Sequence, residues 1–220
     1  MVVFDMAGTT VNENNVVYKM LQKATNEAGI SVTLDQVLAE GAGKEKLQAI
    51  KKILQVYGQN TDEKLASEIY NRFILLLEKA YEELDILPQH NAVESFQALK
   101  DKSILVILNT GYNEETALSI INKLGWKKGV EFDDLITASD VQHNRPEPDM
   151  ILLAMNHFEI INAREVVKVG DSIIDIEEGK NAGCAFSIGI TTGAHTMLQL
   201  QSANPDYIIN DLMELLDIIS

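Results

Sequence analysis

Two regimes of apolar spacing divide this chain. Val2, Val3 and Phe4 form a β-branched and aromatic run that predicts a buried strand, and Asp5 ends it. Val11 to Asn15 is polar and turn-like. From there to about residue 84 the apolar residues recur at helical spacing. Val17, Met20, Leu21, Ala24 and Ala28 predict one helix, stopped by Gly29. Thr33 reads as the N-cap of a short second helix carrying Leu34, Val37 and Leu38, and Gly41 and Gly43 punctuate. Leu47, Ile50, Leu54 and Tyr57 line a third that ends at Gly58. Thr61 caps a longer fourth, with Ile69, Phe73, Leu76, Leu77, Ala80 and Leu84 along it, and Pro88 marks the return.

From Asn91 the pattern changes to strands alternating with helices. A helix from Ala92 to Lys100 leads into Ile104–Leu108, a continuous apolar run of the kind buried on both faces. A helix follows from Glu114 to Leu124, a short strand at Leu135–Thr137, and a helix opened by Pro148. Val166–Val169 is a strand ended by Gly170 and Asp171. A helix from about Asp175 to Asn181, a strand at Ala185–Ile190, a short strand at Tyr207–Ile209 and a terminal helix complete the chain. This alternation predicts an α/β fold, a mostly parallel sheet with helices on both faces, interrupted by a helical insert directly after its first strand.

At 220 residues with 46% hydrophobic composition, the chain suits one large domain or two small ones. The net charge is −15, and Arg72, Arg145 and Arg164 are the only arginines, which argues against nucleic acid and against an anionic membrane as partners. No apolar run reaches a membrane span, the opening residues lack a secretory pattern, and the single Cys184 precludes an internal disulfide; a cytoplasmic setting is expected.

The C-terminal ends of parallel strands lie together, and here they carry chemistry. The first offers Asp5, the second Thr110 and Gly111 in Leu108-Asn109-Thr110-Gly111. The segment after the third offers Arg145, and the fourth offers Asp171, with Asp175 one turn on. Asp5 and Asp171 are hard oxygen donors suited to one Mg²⁺. Thr110 and Arg145 are donors for phosphate oxygens, arginine in a two-pronged fork.

Read together, D-M-A-G-T-T, L-N-T-G, R-P-E-P-D and V-G-D-S-I-I-D resemble the four motifs of the haloacid dehalogenase superfamily, over nearly the whole chain. The resemblance implies a Rossmann-like doubly wound core, residues 1–11 and 89–220, with the α-helical insert, 12–88, as a cap domain. It implies that Asp5 is a nucleophile forming an aspartyl-phosphate. Mg²⁺ would be held by the Asp5 side chain, the Ala7 carbonyl and Asp171, with Asp175 bracing the metal and Thr110 and Arg145 holding the phosphoryl group.

Most phosphatases of the superfamily carry a second Asp where this chain has Ala7, and Lys where it has Arg145. Both departures resemble the phosphonatase branch, the phosphonoacetaldehyde hydrolases. That branch cleaves a carbon–phosphorus bond, which needs an electron sink, and an imine to a cap lysine in a G-x-x-K pattern supplies it. Gly41-Ala42-Gly43-Lys44 matches, so Lys44 is the expected imine lysine. A helix N-terminus and the neighbouring Lys46 would disfavour its ammonium form. Tyr112 matches a tyrosine of the branch. Leu47 stands where the branch has a histidine, and Glu40 where it has methionine.

The expectation is a Mg²⁺-dependent hydrolase for phosphonoacetaldehyde or a related 2-oxoalkylphosphonate. The alternatives are a phosphomonoesterase acting on a small phosphate ester and a catalytically weak phosphate-binding protein. The expected partner is a small anionic phosphonate or phosphate, and a homodimer is an open expectation. His90, His143, His157 and His195 show no metal spacing, and Trp126 and Cys184 read as packing residues.

Overall fold

The computed structural model describes residues 1–83 and 85–219. The chain opens with β1 (Val2–Asp5), crosses β2 (Val11–Asn12), and enters four helices, α1 (Val16–Glu27), α2 (Leu34–Gly41), α3 (Lys46–Tyr57) and α4 (Glu63–Glu83). It returns through β3 (Leu87–Pro88). There follow α5 (Ala92–Asp101), β4 (Val106–Thr110), α6 (Glu114–Leu124), β5 (Asp134–Thr137), α7 (Asp149–His157), β6 (Val167–Gly170), α8 (Ile173–Ala182), β7 (Phe186–Ile190), α9 (Met197–Ser202), β8 (Tyr207–Ile209) and α10 (Leu215–Ile218).

Six strands form one parallel sheet in the order β5-β4-β1-β6-β7-β8. The chain builds outward from β1 to β5, then crosses back to place β6 on the other side of β1. That reversal makes the end of β1 a topological switch point, where open α/β sheets leave a crevice. The pleat of β1 divides its side chains between two cores. Val2 and Phe4 face α5, where Phe4, Phe96 and Trp126 pack with tilted or edge-on rings, centroids 5.4 Å apart at each contact. Val3 faces α7, with Met150, Ile151 and Ala154. Trp126 and Cys184 are buried packing residues, and burial pushes the Cys184 thiol up to about 12.

The helical insert stands between β2 and β3, which pair antiparallel as Val11↔Pro88 and Asn12↔Leu87. This ribbon lies where only a polar turn was expected at Val11. Thr33 caps α2 reciprocally with Gln36, as expected. Gly41 closes α2 rather than interrupting the chain, because α3 approaches so nearly that a Cβ there would lie 3.3 Å from Ala49 Cβ. Asp62, not Thr61, opens α4: its Oδ1 accepts from Lys64 N at 2.9 Å and its carbonyl from Ala66 N. Leu84, expected on this helix, lies outside the described residues.

Two expectations shift in the second half. The strand expected at Ile104–Leu108 runs over Val106–Thr110, because Ile104 N donates to Leu99 O and so still belongs to the end of α5. The helix α9 went unread, although Thr196 and Gln199 form a reciprocal capping box at its start. Among the described residues no helix is long and apolar enough to cross a membrane.

Candidate active site

Asp5, Thr110 and Asp171 come together because β1, β4 and β6 are neighbours that end at the same level. Asp5 pairs across to Asn109, Thr110 follows it, and Asp171 comes directly after Gly170 of β6. The turn after Asp5 is tight: Thr9, Thr10 and Val11 all donate their N–H to Met6 O, and Thr10 Oγ1 donates to Asp5 O at 2.9 Å. Ala7 sits in this turn, half-buried. Gly8 needs to be glycine twice over. Its φ is +86°, and a Cβ would stand 2.3 Å from Asp171 Oδ2.

Arg145 reaches this point from the segment before α7 and is 1% exposed. Its Nη1 donates to Asp5 Oδ1 at 2.6 Å and lies 3.0 Å from Asp175 Oδ1. Its Nη2 donates to the carbonyl and to Oδ1 of Asn109, and its Nε is 3.0 Å from Glu178 Oε2. Lys168, a fully buried lysine on β6, supports the same group from below. Its Nζ donates to Asn109 Oδ1 at 2.5 Å and lies 3.1 Å from both Asp175 Oδ1 and Glu178 Oε2. Asn109, Lys168 and Glu178 were not singled out from sequence. The signals were present: a lysine interrupts the apolar run Val166–Val169, and Glu178 follows Asp175 by three residues on one helical face.

Asp175 is held by α8 itself, where Ser172 N and Oγ donate to its Oδ2. Gly170 passes so close that a Cβ would meet Asp175 Cγ at 2.2 Å. Asp171 accepts from Ala194 N. Burial raises the Asp171 carboxyl well above its ordinary range, with Asp5 and Asp175 adding repulsion. Burial and Asp175 also raise Asp5, against the pull of Arg145 and Lys168. Burial would raise Asp175 too, but Arg145 and Lys168 outweigh it and hold it low. Arg145 is held firmly charged: burial opposes this, and Asp175, Glu178 and Asp5 overcome it.

One oxygen each of Asp5, Asp171 and Asp175 lies within 4.8 Å of the others. Four buried carboxylates, Asp5, Asp171, Asp175 and Glu178, face two buried cations, Arg145 and Lys168. An all-oxygen cluster short of positive charge suits a hard divalent cation. Asp175 is already engaged by Arg145, Lys168 and Ser172, which leaves Asp5 and Asp171 as the freer ligands.

The helical insert lies directly on this cluster. A Cβ on Gly111 would meet Lys44 O at 2.8 Å and Gly43 O at 3.1 Å, and one on Gly43 would meet Ser172 Oγ at 2.4 Å. Thr110 Oγ1 accepts from Tyr112 N, closing the loop after β4. Lys44 therefore has its backbone at the site, but its amine turns away: Nζ donates to Glu40 O at 2.7 Å. The amine that faces inward is that of Lys46, buried and 5.0 Å from the Tyr112 ring centroid. Burial lowers the Lys46 ammonium's pKa, and Asp5 is the strongest charge opposing that shift. His195 is buried at the same end, where its Nδ1 accepts from Ile173 N at 3.0 Å.

The comparisons agree with this geometry. Residues 2–188 match the family model described as haloacid dehalogenase-like hydrolase. A phosphonoacetaldehyde hydrolase of Parabacteroides distasonis is 31% identical, over 89% of this chain and 77% of its own length. One from Latilactobacillus sakei is 28% identical, over 97% and 92%. Among solved structures, a phosphonoacetaldehyde hydrolase-like protein from Oleispira antarctica superposes with a TM-score of 0.83 at 22% identity, over 99% of this chain and 90% of that one.

Proposed function

The chain belongs to the haloacid dehalogenase-like hydrolases, in their phosphonatase-like branch, and on that premise we propose that it hydrolyses the carbon–phosphorus bond of phosphonoacetaldehyde or a close 2-oxoalkylphosphonate. The observation that carries the reading is a pair of residues. Ala7 leaves no carboxylate two positions after Asp5 to protonate a departing alkoxide, while a buried amine of the insert, Lys46, lies over the Tyr112 ring in the loop that follows β4. A site without that acid but with an amine suits a leaving group that departs as carbon rather than as oxygen.

In this reading residues 12–88 act as the cap and the remainder as the catalytic core. Asp5 is the nucleophile. Arg145 fixes its rotamer through Oδ1 and presents positive charge to the phosphonate oxygens as they approach. Thr110 and the N–H groups of the loop around Gly111 line the same place, and Tyr112 walls it. Asp5, the Ala7 carbonyl and Asp171 would hold Mg²⁺, braced through Asp175. Bound there, the ion supplies charge neutralisation between two anions, the carboxylate and the phosphonate.

The substrate aldehyde condenses with a cap lysine and loses water. Asp5 then attacks phosphorus. The carbon–phosphorus electron pair moves into the adjoining carbon–carbon bond, and the iminium pair moves onto nitrogen, leaving an enamine and an aspartyl-phosphate. Protonation of the enamine carbon and hydrolysis of both adducts release acetaldehyde and phosphate. The lysine expected from the G-x-x-K pattern was Lys44; the segment Lys44-Glu45-Lys46 offers two amines for the role.

The test is turnover with Mg²⁺ of phosphonoacetaldehyde against a panel of small phosphate esters. Stoichiometric acetaldehyde and phosphate from the phosphonate is the expected result. Efficient ester hydrolysis without phosphonate cleavage would overturn the reading.

A further inference from the structure

Two lysines lie two residues apart beside the site, and the fold treats them differently. Lys44 lies outside any helix, is half-buried, and commits its Nζ to Glu40 O. Lys46 is the first residue of α3. It shares the buried face of that helix with Ala49, Ile50 and Ile53, so helical phase turns it toward the core. Its Nζ donates to Lys44 O at 2.7 Å, the carbonyl that rests on Gly111. The same nitrogen lies 5.0 Å from the Tyr112 ring centroid and 5.5 Å from that of Tyr18. An amine between two aromatic faces is held in place with little water around it.

A second observation lies beside Tyr112. Glu13, from the segment between β2 and α1, is 6% exposed. Tyr81 Oη donates to its Oε2 at 2.5 Å. Its Oε1 has no hydrogen-bond partner, and neither has the buried Tyr112 Oη. Buried acceptors and donors left unpaired are uncommon and call for a ligand or a role. Here one acceptor and one donor border the ring over which Lys46 lies. A tetrahedral carbon bearing a nitrogen and a hydroxyl would meet that need: the hydroxyl takes the Tyr112 proton in a hydrogen bond, and Glu13 exchanges protons with it.

We propose that Lys46 is the amine that forms the imine, and that Glu13 carries the protons for its formation and hydrolysis. The inference rests on the carbon–phosphorus reading above and names the groups that perform its first and last steps. Glu13 takes a proton from the Lys46 ammonium. The freed Nζ attacks the aldehyde carbon, forming the carbon–nitrogen bond, and a proton passes to the carbonyl oxygen. Glu13 gives its proton to that hydroxyl, which leaves as water, and the iminium remains. After the carbon–phosphorus bond has broken, the same transfers run in reverse with one water and restore the amine.

The experiment traps the adduct on the Mg²⁺-loaded, full-length protein. Phosphonoacetaldehyde is added, borohydride quenches the reaction, and the peptides are mapped while acetaldehyde and phosphate are measured in parallel. A reduced adduct on Lys46 is expected. An adduct on Lys44 overturns the assignment while leaving carbon–phosphorus cleavage standing, as does turnover with no adduct on any lysine. Absence of phosphonate turnover removes the underlying reading and this inference with it. Lys46→Arg keeps the charge and cannot form an imine; a folded variant that still turns over the phosphonate overturns the assignment. Glu13→Gln should lower kcat about 10²-fold or more with KM little changed, the usual scale for a lost acid–base group. Its adduct should still form on Lys46 after longer incubation. An unchanged kcat would remove Glu13 from the role.

Discussion

Arg145 Nη1 and Asp5 Oδ1 stand 2.6 Å apart, both side chains buried, at the switch point of the sheet. The guanidinium spreads over four acceptor residues, Asp5, Asn109, Asp175 and Glu178, which a single ammonium cannot do. Arg145→Lys should therefore lose more than one charge-assisted hydrogen bond at roughly 1.5–3 kcal/mol each. A fall in kcat/KM of about 10²-fold or more is expected, read by steady-state kinetics. Arg145→Met should in addition lower the unfolding free energy by about 3–5 kcal/mol, since Asp5 loses its buried partner and Asp175 and Glu178 are left to share Lys168.

Gly8 tests the metal site. Gly8→Ala drives a Cβ into Asp171 Oδ2, whereas Gly125→Ala, at φ +71°, meets nothing within 4 Å. Both substitutions strain a left-handed residue by about 1–2 kcal/mol. Mg²⁺ is expected to raise the Tm of the wild type, and only Gly8→Ala should also shrink that rise. Equal Mg²⁺ responses in the two variants would count against Asp171 as a ligand.

Gly111 tests the contact between insert and sheet. Gly111→Ala must push back the carbonyls of Lys44 and Gly43, backbone atoms with no rotamer to change. A displacement of about 1 Å at the reacting groups can cost about 10²-fold in rate. We expect a drop in kcat/KM of at least about tenfold, with thermal stability within about 1 kcal/mol of the wild type and faster proteolysis of the loop between α2 and α3.

Asp134 supplies a pH signature away from the site. Burial favours its neutral form, but hydrogen bonds from His157 Nδ1 at 2.7 Å and Lys128 Nζ at 2.5 Å prevail and hold the carboxyl below its ordinary 3.8. A lowered folded value means stability that is present above 3.8 and is lost as the pH falls through the lowered value. The advantage of wild type over Asp134→Asn, about 1–3 kcal/mol at pH 7, should therefore hold to about pH 4 and shrink below it. Denaturant titrations across that range measure it.

Asp5, Thr110 and Asp171 were legible because each ends or follows an apolar run and parallel strands end together; Arg145 was marked by the prolines that follow it, and Asp175 by lying one turn beyond Asp171. Lys168 was not, because a charged residue inside an apolar run reads as exposed until the sheet shows which face it occupies, and Glu178 was not, because a glutamate among charged helical neighbours reads as a solvated face. The two amines of the insert were the hardest to tell apart. The G-x-x-K spacing marks the loop, but the direction of a side chain is set by helical phase, and α3 begins only at Lys46. The i, i+3, i+4, i+7 set Lys46, Ala49, Ile50, Ile53 was the available signal. The short ribbon of β2 and β3 had no such signal, since two residues carry no period.

That ribbon has a consequence for how this architecture can change. Val11 pairs with Pro88, and Gln89 N donates to Thr10 O at 2.8 Å, so the polypeptide leaves and re-enters the sheet at neighbouring points. To the six strands, the four helices are one long turn of a hairpin. Loop-closure entropy grows only slowly with length, so that turn can be shortened, enlarged or exchanged with little effect on the layers beneath. Selection is then free to revise what the insert presents above the sheet while the strand ends beneath stay the same.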